Sequence, residues 1–180
     1  MSNNLWWYLS RATGIVATVL AAAALVWGFF FSSRNTGERM RPAWWLDLHN
    51  WLGGLALLFT AAHLLAAYFD TNAGLGIVQV LIPGTADVGT WAIGWGVIAA
   101  YLFAITVFTS WPKKRLPPPW WRIVHLTSVI GAVLAGVHAY QAGSDATRVV
   151  FQAGLAVIGG FCVYATCLRV FHAIDRRRTA

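Results

Sequence analysis

Charged residues are scarce in this chain: Lys, Arg, Asp and Glu make up 11% of 180 residues, where a soluble domain carries about a quarter. An ordinary soluble domain is therefore excluded, and the 58% hydrophobic content says the same. Six carboxylates in all, with Asp47 alone near a histidine, argue against an acid-rich metal cage and against a small metal transporter. The two cysteines, Cys162 and Cys167, lie five apart in one apolar run and so on different helix faces. They fit no disulfide or metal framework and read as small buried hydrophobes. A basic leader followed by a cleavage site is missing from the N-terminus, so the first apolar segment is expected to be retained. No G-x-G-x-x-G unit follows the last apolar segment, and the chain is read as one membrane domain over residues 1–180, without a flavin or nicotinamide domain.

Long apolar runs are what the chain does have. Five approach the roughly 20 residues needed to cross a bilayer: Leu5–Ser32, Trp44–Phe69, Trp91–Ser110, Trp121–Ala142 and Val149–Ile174. The expected fold class is an all-α membrane bundle of five transmembrane helices. Arg34, Arg39, Arg41, Lys113, Lys114, Arg115, Arg122, Arg169, Arg176, Arg177 and Arg178 all fall on one side of such a bundle, against Arg11 and Arg148 on the other. Cytoplasmic loops attract Lys and Arg, so the N-terminus is expected outside and the C-terminus in the cytoplasm. The net charge of +7 is then a topology signal, and no nucleic-acid partner is expected. Trp6, Trp7, Tyr68, Trp91 and Tyr140 fall at the outer boundary, and Trp44, Trp45, Trp111, Trp120 and Trp121 at the inner one, as an interfacial belt facing membrane lipid. Asp70–Gly89 contains the apolar piece GLGIVQVLIP, which reads either as a cover over an outer site or as a surface loop.

Ionisable side chains inside a membrane are costly and mark functional sites. Four histidines lie in spans: His49 and His63, 14 residues apart in the second, and His125 and His138, 13 apart in the fourth. These spans run in the same direction, and each spacing corresponds to about 20 Å of helix rise. Matching by depth pairs His49 with His125 and His63 with His138, one pair in each leaflet. Two opposed imidazoles at one depth, without carboxylate or thiolate, suit the axial positions of a haem iron. Helix-bonding histidines, or ligands of a pigment magnesium, remain as alternatives. Gly53, Gly54, Gly131 and Gly136 lie between the histidines, where small residues admit a flat macrocycle or plain helix packing. Fourteen residues keep His49 and His63 on one face, whereas 13 leave His125 and His138 roughly 140° out of phase on an ideal helix. Crossing angle, haem rotation or a distortion near the glycines would reconcile them. His172, alone beside basic residues at the end of the fifth span, reads as interfacial.

LSRATGIVATVL, LHNWLGGLALLFTAAH and WWRIVHLTSVIGAVLAGVHAYQAGSD together resemble the ferric reductase-like transmembrane family, over nearly the whole chain. That family includes the membrane part of NADPH oxidases, ferric reductases, and the haem subunit of the bacterial periplasmic methionine sulfoxide reductase system. The resemblance implies two haem b groups, held by His49 with His125 on the inner side and by His63 with His138 on the outer. Arg11 looks like the family's arginine of the first span, there to meet a haem propionate or else to reach lipid headgroups; Arg148 has a weaker claim. Electrons would pass from a separate cytoplasmic-side or membrane donor to an extracytoplasmic acceptor. The donor classes are a flavoprotein, a quinol or a flavin-binding membrane protein. The acceptor is oxygen, a ferric chelate or a periplasmic reductase. The implied location is the bacterial inner or plasma membrane.

Overall fold

The computed structural model describes residues 4–33, 43–110 and 116–178, without the side chains of Ser33, Arg176 and Arg177. Arg34, Arg39, Arg41, Trp111, Lys113, Lys114 and Arg115 lie outside the described residues. Among the described residues six helices follow one another: α1 Leu5–Ser33, α2 Ala43–Phe69, α3 Ile77–Leu81, α4 Thr90–Ser110, α5 Pro118–Ala142 and α6 Val149–Arg178. All but α3 are long and apolar enough to cross a membrane. No strand occurs among the described residues, so this is an all-helical, multi-pass membrane protein.

Helices are the expected outcome, because lipid offers backbone groups no partners and a helix satisfies them internally. Hydroxyls follow the same logic. Thr18, Thr60 and Thr166 each donate to the carbonyl four residues back, on Gly14, Ala56 and Cys162, at 2.7–2.9 Å. Two bounds differ from the expected ones by more than one residue. α5 begins at Pro118, since the first turn of a helix tolerates proline, which has no N–H to donate. α6 runs on to Arg178, beyond its apolar stretch.

Small residues set the packing. Ala17 and Ala24 of α1, Ala56 and Ala66 of α2, Ala99 of α4 and Ala165 of α6 are all buried, letting backbones approach closely. Leu58, Trp51, Ile130, Val133 and Phe161 instead face outward, as a lipid-facing surface does. Cys167 is exposed on that surface, which corrects its reading as a buried hydrophobe; Cys162 is half-buried, and both are free thiols.

Helices pair as α1 with α2 and α4 with α5, while α6 lies against α1. Between the pairs runs a gap: no Cα of α2 comes within 8 Å of α5. One end of this gap is covered by the segment from Asp70 to Gly89, and we call it the cap end and its opposite the far end. Buried Asp70 accepts hydrogen bonds from the Asn72 backbone and side chain, at 3.0 and 3.2 Å, turning the chain back. Tyr101 of α4 donates to the Leu81 carbonyl at 2.7 Å and ties down α3. The segment has features of both readings: Asp70, Leu75 and Val80 line the cavity beneath it, while Ile77, Val78, Ile82 and Val88 are exposed on the surface.

Candidate functional site

His49 and His63 face the gap from α2, and His125 and His138 face it from α5. His49 meets His125 with ring centroids 5.8 Å apart. His63 meets His138 at 6.0 Å. α5 is helical without a break through Gly131 and Gly136, so the 13-residue offset is taken up without a local distortion of the helix.

Every ring is anchored through the same atom. His49 Nδ1 sits 3.0 Å from the Ala24 carbonyl, His63 Nδ1 2.8 Å from the Ser10 carbonyl, and His138 Nδ1 2.7 Å from the Ala92 carbonyl. A carbonyl only accepts, so in each case Nδ1 carries the proton. His125 reaches the same state by another route. Its Nδ1 lies 3.2 Å from Ser110 Oγ. That hydroxyl donates its one hydrogen to the Thr106 carbonyl at 2.7 Å, so it can only accept from the histidine. In the neutral form all four imidazoles thus share one tautomer, with the Nε2 lone pair turned away from the helix that anchors the ring.

Glycines seat three of the rings. A Cβ built at Gly14 would fall 2.9 Å from His63 Nδ1, one at Gly28 2.9 Å from His49 Cε1, and one at Gly96 2.8 Å from His138 Nδ1. These positions carry the site, and they were not among the glycines singled out from sequence. Gly131 packs on Phe103 and Leu102, which makes it a helix-packing glycine. Nothing lies within 4 Å of a Cβ at Gly53, Gly54 or Gly136. A signal existed: Gly14 and Gly28 repeat the 14-residue step of His49 and His63 on the neighbouring helix, and Gly96 and Ser110 repeat it on α4.

At the cap end the histidines open on a cavity of about 680 Å³, lined also by Arg11, Thr18, Leu75 and Phe151. Ligand sites typically span about 300–1,000 Å³. Arg11 is ion-paired through Nη2 with Asp145, and its guanidinium lies 4.2 Å over the Trp7 ring. Its Nε is buried without a hydrogen-bond partner. Arg148, largely exposed, touches the other Asp145 oxygen at 3.2 Å. His172 bonds the Leu168 carbonyl of its own helix, and Asp47 is exposed.

This arrangement fits a metal held between two imidazoles. With metal–nitrogen bonds of about 2 Å and rings of roughly 1.1 Å radius, opposed imidazoles place their centroids roughly 6.3 Å apart. Both observed separations lie within about 0.5 Å of that. Nδ1–H donation to a fixed acceptor is the habit of ligating histidine, since it sets tautomer, ring orientation and basicity. Among the described residues no group of three or more His, Cys, Asp or Glu gathers, so a group held by either pair would have two protein ligands.

No curated protein and no solved structure matches the chain. A family model described as ferric reductase like transmembrane component matches residues 13–136, taking in His49, His63 and His125 and ending two residues before His138. Domains of that family typically bind haem. With 69% of its length inside that match, the chain belongs to the ferric reductase-like transmembrane family, as a multi-pass membrane redox component.

Proposed function

We propose that the chain is a two-haem b-type cytochrome that conducts electrons across the membrane. His49 and His125 hold one haem at the far end, and His63 and His138 hold the other at the cap end. The observation that carries this reading is the common state of the four rings: Nδ1 anchored, Nε2 available, facing in two pairs. Haem supplies one-electron chemistry, with its potential set by axial ligands, hydrogen bonding and burial.

The protein's part is to hold and orient. Backbone carbonyls of α1 and α4 fix three of the rings and Ser110 Oγ the fourth, and apolar walls keep water from the gap. The two histidines of each level would hold the iron of a bound haem and leave an acceptor no open iron position, so the haem would supply its electron through the macrocycle. Arg11 lines the cap-end cavity and offers a guanidinium suited to a propionate. The cap end faces outward and the far end the cytoplasm, so electrons enter at His49/His125 from a separate donor. They leave at His63/His138 for an extracytoplasmic acceptor.

Purified protein should show a Soret band, sharp reduced-minus-oxidised b-type peaks and two haems per chain. His63→Ala should lose the cap-end haem and keep the far-end one. Featureless spectra would refute the haem reading, far-red absorption would favour a pigment, and full occupancy in His63→Ala would refute the pairing.

A further inference from the structure

The four histidines are not anchored alike. Three donate to backbone carbonyls at 2.7–3.0 Å, which no side-chain substitution removes. His125 alone has no carbonyl at Nδ1 and relies on a side chain, Ser110 Oγ, at the longer distance of 3.2 Å; the Ser10 Oγ that stands 3.4 Å from His63 Nδ1 only supplements a carbonyl. The same oxygen accepts a second N–H, from Trp121 Nε1, also at 3.2 Å. Trp121 stands one turn before His125 on α5, and its ring stacks on the imidazole with centroids 4.9 Å apart and planes 24° apart. One oxygen therefore serves two donors, while its own hydrogen is held by Thr106.

We infer that Ser110 and Trp121 are positioning residues that tune His125 and, through it, the potential of the far-end haem separately from the cap-end one. This rests on the haem reading. Donation from Nδ1–H makes an imidazole a more basic ligand, and the stronger the acceptor the greater the effect. A more basic axial ligand favours the oxidised iron and lowers the potential. A shared, longer bond leaves His125 the least enriched of the four. Trp121 competes for the acceptor and also packs the ring in place, so its two roles are separable by chemistry.

Substitutions at the two residues should move one potential in opposite directions. Ser110→Ala removes the acceptor, and the far-end haem potential should rise. Trp121→Phe keeps a stacked ring but removes the competing N–H, leaving Ser110 Oγ to His125 alone, and the potential should fall. In both variants the cap-end haem serves as internal reference and should hold its wild-type value. The measurement is a potentiometric titration of both b-type bands in the purified full-length protein, with low-spin electron paramagnetic resonance signals to count the ligated haems. Both haems bound with neither potential moved would overturn the tuning role and leave the haem reading intact. Shifts of the same sign in the two variants would also overturn it, as would equal shifts of both haems. Wild-type protein without haem would instead overturn the reading on which the inference rests.

Discussion

Gly96→Ala is a direct test of how the cap-end pair is seated. A Cβ there falls 2.8 Å from His138 Nδ1 and 2.9 Å from Cε1 and Cγ, so the whole near edge of the ring is in its way. Non-bonded atoms rest at about 3.5–4.0 Å, so the ring must retreat by roughly 0.7 Å. Ala92, whose carbonyl holds this ring, lies one turn from Gly96 on the same helix, so the retreat is also a retreat from the acceptor. Their 2.7 Å bond would stretch to about 3.4 Å, beyond the N–H···O range. Losing a buried hydrogen bond costs about 1–3 kcal/mol, and forcing a methyl into a packed site costs a similar amount. Disturbing the bond that orients a ligating histidine typically weakens metal binding by about 10–100-fold. The assay is the pyridine haemochrome ratio of haem to protein, with reduced-minus-oxidised spectra to say which haem is missing. Cap-end haem should be lost preferentially while helical content stays unchanged. Gly159→Ala, where no atom lies within 4 Å of the new methyl, is the matched control and should retain both haems. Two haems with wild-type spectra in Gly96→Ala would refute the argument that this glycine seats the ring.

Gly28→Ala should give the mirror result, with the far-end haem weakened, because its Cβ meets His49 Cε1 at 2.9 Å; the same haem ratio checks it. Asp145→Asn should lower thermal stability in detergent by about 1–3 kcal/mol, since it removes the charged partner of Arg11, yet keep both haems. Arg11→Gln should lower retention of the cap-end haem when purified protein is challenged with a haem-binding competitor, and retention equal to wild type would leave Arg11 a structural residue only. For orientation, Val88→Cys, at an exposed site of the cap segment, should react with a membrane-impermeant maleimide in intact cells. Arg178→Cys at the end of α6 should react only after permeabilisation, both in a background with Cys162 and Cys167 replaced.

The spans were legible because bilayer thickness and backbone satisfaction act on every residue of a segment, and 20 apolar residues carry that signal redundantly. Which histidines face which was legible for a related reason: depth in a membrane is counted along the chain, and His49 and His125 lie at matching counts from their helix starts. The anchoring of the rings was not. Ala24, Ser10 and Ala92 contribute carbonyls, which every residue has, so no side-chain pattern advertises them. Gly53 and Gly54 drew attention by lying beside the histidines in sequence, whereas Gly14, Gly28 and Gly96 lie beside them in space. Trp121 was absorbed into the interfacial belt because tryptophan at a helix start has that common explanation. Only its stack on His125 shows the second role. Arg11 was identified as a residue of the outer end, but its partner Asp145 lies 134 residues away and no local pattern joins them.

The seating of the rings explains why this bundle is built as two walls. In lipid there is no hydrophobic drive between helices, so close approach depends on small residues and on polar bonds. Here both are spent within each wall: glycines of α1 receive the histidines of α2, while Gly96 and Ser110 of α4 receive those of α5. Each wall therefore orients its own imidazoles, while contacts of α1 with α5 and of α2 with α4, and the Arg11–Asp145 ion pair, join the two walls. Across the gap, α2 and α5 stay more than 8 Å apart at every Cα, and the two His–His approaches are the polar groups that face each other. A group ligated from both sides would then clamp the walls together, because ligation on both sides is available only when they are in register. Binding free energy of that kind is folding free energy. The helix pairs are thus held by their own packing, and a group held by the histidines would add to the direct α1–α5 and α2–α4 contacts that set the spacing between them.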